Sequence, residues 1–269
     1  MKIKGLIGLF CACLFLTAGC SGFRFEVGKP QVSAEKEKKV VVPEKKTYAC
    51  AFTSAPIEVD GFLDEPAWDK AKVLNFILPG TFQEPISRTE GRILYDNKYL
   101  YVSFKAYDQD IWSYYTERDS NTCAEDVLEV FVKPDPVAHP DGADPYYNFE
   151  INALGTVLDA FNVKRNAAGN YARWSSWNCA GLKIAIQIKG TLNDWHDKDD
   201  YWTMEVAIPF AEMSSLAGKS TRKGDTWLFH LARYDYSVYL PKGQELTSCA
   251  PLSRAVFNLY EDWVKLQFE

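Results

Sequence analysis

The sequence predicts an all-β protein, an antiparallel β-sandwich of jelly-roll type with short helices and long loops. Three observations carry this. Short apolar–polar alternations recur between polar turns from Tyr48 onward, few stretches have helical periodicity, and no internal repeat divides the chain. Ile57-Glu58-Val59 alternates and runs into the turn Asp60-Gly61. Ile93 to Tyr95, the turn Asp96-Asn97-Lys98 and Tyr99 to Ala106 read as a hairpin. Val127 to Val132, Tyr146 to Ile151 and Thr156 to Phe161 read as three further strands, and Leu182 to Ile188, Trp202 to Ile208, Thr226 to Tyr234 and Val264 to Phe268 complete the set. Glu65 to Ala71 and Phe210 to Leu216 are the short helix candidates. Strands at this spacing imply two packed sheets, and about 220 residues are enough for one such domain with a full core.

Alternation also assigns faces. Leu128, Val130 and Val132 point one way and Val127, Glu129 and Phe131 the other. Phe149 and Ile151 oppose Asn148, Glu150 and Asn152. With the apolar sets inward, Glu129, Asn148 and Glu150 share the outer face, and Asp159 can join them from the next strand. Carboxylates accept and amides both donate and accept, so such a row suits hydroxyl-rich ligands. A solvated face or an internally satisfied carboxylate explains the same row.

The strands form a recognisable series. Pro56-Ile57-Glu58-Val59-Asp60-Gly61-Phe62-Leu63-Asp64-Glu65-Pro66-Ala67-Trp68 resembles the opening of carbohydrate-binding module family 9, a β-sandwich related to DOMON-type domains. Leu94 to Val102 is similar to its next hairpin, Glu125 to Phe131 to its acidic strand, and Tyr147 to Thr156 and Trp202 to Phe210 to later segments in the same order. The resemblance covers residues 48–269 and implies sugar binding by a non-catalytic module of the kind attached to glycoside hydrolases. It carries Glu129 over as an acidic sugar contact, whereas Glu150 stands where the family has a basic one. The family's two clamping Trp rings fall at Cys123 and Cys249 here, so a surviving sugar platform needs other rings. Trp112, Trp174 and Trp177 are the candidates, because they lie in loops and the latter two adjoin Arg173 and Asn178. The carbohydrate-binding set is therefore Trp112, Glu129, Asn148, Glu150, Trp174 and Trp177. Two other readings stand beside it: a protein-interaction scaffold that kept the fold and lost the clamp, and a glycoside hydrolase component using Glu129 and Glu150 as a carboxylate pair.

The first residues assign a compartment. Lys2 and Lys4 precede an apolar run, Leu6 to Leu16, which is too short to span a bilayer. Leu16-Thr17-Ala18-Gly19-Cys20 is similar to a lipobox, which makes residues 1–19 a signal peptide and Cys20 the lipid-bearing first residue of an exported protein, with outer-membrane sorting implied by Ser21. Residues 20–47 are charged, lack the apolar content of a core and read as a flexible linker. Of the 30 basic residues two leave with the leader, so 28 face 36 acidic ones, which argues against a nucleic-acid partner. Partners are then a polysaccharide or oligosaccharide and, through the anchor, a membrane.

Cys50, Cys123, Cys179 and Cys249 remain beyond the leader and anchor, and in an exported chain without CxxC spacing they read as disulfide candidates. The resemblance favours Cys123–Cys249, because it puts both at one site. No cofactor is required. Calcium stays open at two acidic loops, Asp135/Asp141/Asp144 and Asp194/Asp197/Asp199/Asp200, although neither has EF-hand spacing and solvated acids account for both.

Overall fold

The computed structural model describes residues 42–134, 145–165, 171–174, 177–217 and 221–269. The leader, Cys20, most of the linker and the Asp135–Asp144 loop lie outside them.

Among the described residues, thirteen strands alternate with turns: β1 (Thr47–Phe52), β2 (Leu74–Asn75), β3 (Thr89–Tyr95), β4 (Tyr99–Tyr107), β5 (Val127–Lys133), β6 (Tyr146–Asn152), β7 (Val157–Arg165), β8 (Tyr171–Trp174), β9 (Lys183–Lys189), β10 (Tyr201–Pro209), β11 (Thr226–Tyr236), β12 (Gln244–Ser248) and β13 (Val264–Phe268). One α-helix, α1 (Phe210–Ala217), follows β10 where a helix was expected. The strand order β8-β7-β6-β5-β11-β13-β1-β3-β4-β10-β9 folds on itself as a β-sandwich, with β1 as the shared strand. Thr47 to Cys50 pair with β13, and Ala51 and Phe52 pair with β3. Both of these ladders are parallel, whereas the other pairings are antiparallel.

Two sequence expectations fail locally. Ile57-Glu58-Val59 is not a strand, because Ile57 instead packs with Trp68, Leu94, Tyr101 and Ala207 over the outside of the second sheet. Glu65 to Ala71 forms only a single 3-10 turn at Trp68–Lys70. Its Trp68 indole N–H donates to Glu205 at 2.9 Å, and the same carboxylate accepts Asp60 N–H at 3.0 Å and Gly61 N–H at 2.9 Å. Burial raises the Glu205 carboxyl despite these donors.

The inner faces of the two sheets form the core. Leu128, Val130, Val132, Phe149, Ile151, Phe229 and Leu231 meet Ile93, Val102, Phe104, Trp202, Met204 and Val206. The sheets approach so closely at Gly91 that a Cβ there would stand 2.7 Å from Leu231 Cδ1. Outside the first sheet, residues 249–263 fold over β11 and bury Phe257 and Trp263 against His230, which also stacks on Phe131 at 5.3 Å.

His230 is fully buried, and desolvation pushes its pKa down to about 3. Its neutral form is kept in the folded state while the unfolded chain takes up a proton near pH 6.5, so its contribution is present above that pH and is lost as pH falls from 6.5 towards 3. His230→Phe preserves the stack and removes the titration. In denaturant unfolding at pH 7, 5 and 4, the parent should lose stability relative to the variant by about 1.4 kcal/mol per pH unit below 6.5. A pH-independent difference would refute the assignment.

Candidate functional site

The register confirms the predicted polar row and shows its limits. Glu129 stands directly opposite Glu150, and Asn148 opposite Phe131, so all three polar side chains share the outer face of the first sheet. They are already engaged with one another: Asn148 Nδ2 donates to Glu150 at 2.9 Å and Thr122 Oγ1 donates to its other oxygen at 3.2 Å. Glu129 is only 2% exposed. Burial, then the neighbouring Glu150, raises its carboxyl well above the usual range, and its Oε2 and Asn148 Oδ1 have no hydrogen-bond partner. The row is thus a largely buried, acceptor-rich strip on the sheet's outer face.

Asp159 does not join it. It pairs with Phe149 and therefore points inward, where it takes Arg118 at 2.6 Å and Cys179 N–H at 2.6 Å. Trp177 also turns inward, packing on Tyr147 at 5.0 Å and Phe149 at 6.0 Å, as a loop ring folded onto the sandwich does. Trp174 pairs with Phe161 in β8, and its side chain lies outside the described residues.

All four cysteines stand as thiols, which corrects the disulfide expectation. Cys249 faces the core, where its N–H donates to Leu231 O at 3.0 Å and its Sγ accepts Leu231 N–H at 3.2 Å, while Cys123 sits half-buried on an outer turn, bonded to Asn121. Burial pushes the Cys179 and Cys249 thiols up to about 12, so both are unreactive.

The structure assembles instead a cleft that the sequence only half disclosed. Trp112 (46% exposed) and Trp195 (58%) line a cavity of about 210 Å³ with Asp110, Asn193 and Val238. Tyr114, also exposed, extends the ring surface, 6.2 Å from Trp112. The backbone donors of residues 112–115 are tied down. Trp112 N–H donates to Asp126 at 2.6 Å, Ser113 N–H to Asn193 at 2.9 Å, and Tyr114 and Tyr115 N–H to Glu125 at 2.6 and 3.1 Å. Asn193, in the left-handed region at φ 63°, returns a bond from Nδ2 to Ser113 O at 2.7 Å. On the opposite wall, the Tyr239 hydroxyl donates to the carbonyls of Trp195 and Asp197, and Trp195 stacks on His196 at 4.0 Å. The rings are therefore presented on a preorganised frame, which lowers the ordering cost of binding.

Beneath this frame lies a buried charge cluster. Arg233 donates to Asp108 at 2.6 Å and to the Tyr107 carbonyl at 2.8 Å, and lies 3.3 Å from Asp235. Asp126 completes the group and takes Tyr236 N–H at 2.7 Å as well as Trp112. One guanidinium faces three carboxylates. Burial, opposed by Arg233 and reinforced by Asp235, pushes Asp108 up to about 7, and Asp126 is raised well above its usual range by burial and by Asp108 and Asp235. This group and Asp60/Glu65/Glu205 are the carboxylate triads among the described residues, and neither is an open calcium cage: the first encloses its own cation, and Glu205 is occupied by three N–H donors. The predicted acids around Asp194 disperse, with Asp194 bonding His196 and the buried Asp199 taking Ile111 and Thr191 N–H.

Comparison with known proteins follows the geometry. No family model and no curated protein matches the chain. Among solved structures, a candidate carbohydrate-binding protein from Bacteroides uniformis ATCC 8492 is similar at TM-score 0.62 and 16% identity, over 84% of this chain and 100% of that one. A family 9 carbohydrate-binding module from Caldicellulosiruptor kristjanssonii, solved with cellotriose, is similar at TM-score 0.53 and 12% identity, over 83% of this chain and 94% of that one. The same module solved with glucose gives TM-score 0.53 and 12% identity, with 83% and 96% covered. The chain has the fold of family 9 carbohydrate-binding modules.

Proposed function

We propose that residues 48–269 bind carbohydrate without hydrolysing it, on a lipid-anchored exported chain, in the capture of polysaccharide. The observation that carries this reading is the Trp112–Trp195 cleft. Pyranose rings offer C–H faces to indoles and hydroxyls to polar groups such as Asp110 at the cleft. At about 210 Å³ it is smaller than the about 300–1,000 Å³ sites of drug-sized ligands and suits one or two sugar rings. The solved neighbours with cellotriose and glucose add support from the fold. Hydrolysis is disfavoured because Glu129, at 2% exposure, offers no approach to a glycosidic bond. No cofactor enters the reading. A glycan array probed with residues 48–269 tests it; binding to no glycan, with a protein partner recovered by pull-down, would favour the scaffold instead.

The anchor has its own test. Cys20→Ser removes the acceptor thiol, so fatty-acid labelling and membrane retention should both be lost, and label persisting in the variant would overturn the lipidation.

A further inference from the structure

The outside of the second sheet carries a second cleft, of about 430 Å³, distinct in its residues and chemistry from the indole cleft. Its floor is the outer face of β3, β4, β10 and β9. Glu90, Lys105, Thr203 and Gln187 form one row across these strands, and Tyr107, Tyr201 and Lys189 the next. Its wall is the turn bearing Phe62 and Leu63. That turn is fixed: Thr203 Oγ1 donates to Gly61 O at 2.7 Å, Gln187 Nε2 to Asp60 O at 2.8 Å, and Glu205 holds the two amides already described. The Phe62 ring is left 62% exposed above the floor.

The charge of this cleft runs against that of the chain. The protein carries a net −6, yet Arg88, Arg92, Lys105 and Lys189 gather here against Glu90 and Asp200. Glu90 pairs with Arg88 and lies 3.6 Å from Arg92, and Asp200 pairs with Lys189 at 3.0 Å. Lys105 has no carboxylate partner among the described residues. It is held instead by ring faces, 4.0 Å from the Tyr201 centroid and 5.2 Å from that of Tyr107. An ammonium oriented by two tyrosines at the floor of a cleft, beside an exposed phenyl ring, supplies both an anion contact and a stacking surface.

We propose that this cleft binds an anionic saccharide, with the sugar's charged group at Lys105 and Arg92 and its C–H face on Phe62. The inference rests on the carbohydrate reading for the class of ligand, and on the local charge for its sign. Affinity electrophoresis through polygalacturonate, a sulfated galactan and a neutral galactan tests it and separates carboxylate from sulfate as the anion. Retardation by one or both anionic polymers is expected, falling at least tenfold in Lys105→Gln and in Phe62→Ala. Phe62→Ala alters an exposed side chain and so keeps the test open should Lys105→Gln misfold. No retardation by either anionic polymer, or retardation that survives Phe62→Ala and a folded Lys105→Gln, would overturn the proposal. Neutral-glycan binding lost in Trp112→Ala reports on the indole cleft alone, so the two readings fail separately.

Discussion

Alanine in place of either Trp112 or Trp195 weakens binding of a neutral glycan by more than about 1 kcal/mol, roughly fivefold, and the double substitution removes detectable binding. The size of the effect follows from the small cleft: its two indoles are its aromatic lining, so losing one leaves a sugar ring with a single stacking partner. The fold should be unaffected. Both rings are exposed, and exposed substitutions usually stay within about 0.5 kcal/mol of neutral. The bonds that shape the loops use the backbone of Trp112 and Trp195, and these survive truncation to alanine. Calorimetry on the single and double variants, with thermal unfolding alongside, gives the answer. Folded variants that bind as tightly as the parent would remove the cleft from the function.

Arg233→Met should cost about 3–5 kcal/mol at pH 7.5, the largest loss expected from a single substitution here, because it strips the counter-charge from three buried carboxylates. The penalty has a pH sign. Carboxyls whose folded pKa lies above the unfolded value destabilise the native state progressively as pH rises from about 4 through the folded value. Asp108, at about 7 even with Arg233 in place, rises further without it, and Asp126 moves in the same direction. The variant should therefore recover part of its lost stability at pH 5, where these groups are protonated. Urea unfolding at both pH values reads the difference, and an equal loss at each would show that packing, not charge, dominates.

The strand pattern was legible because period-two alternation survives wherever one face is buried, as in β5, β6 and β11. What failed was local. Ile57 alternates like a strand residue yet serves as a cover for the outside of the second sheet, a role with the same burial requirement. β12 went unseen because Gln244-Glu245-Leu246-Thr247-Ser248 has no apolar rhythm, and its place is set by pairing with β11. Among the loop tryptophans, composition could not separate Trp177, which packs on Tyr147, from Trp112, which faces solvent. Nor does the sequence around Trp195 mark it, because its cleft partners come from two other segments, Asp110/Trp112 and Val238. Arg233 and Asp235 continue the inward parity of Phe229 and Leu231, and charges at core-facing positions announce a buried network.

The shared strand also fixes how the domain bears load. Tension arriving at Thr47 runs along β1, whose four residues on β13 and two on β3 lie in parallel ladders. Drawn lengthwise, those hydrogen bonds shear together and do not peel open one after another. Because β1 is the common member of both sheets, its extraction would also part the two layers. A domain drawn from its N-terminal end is thus held first through β1, with β8 and β9 at the far ends of the strand order.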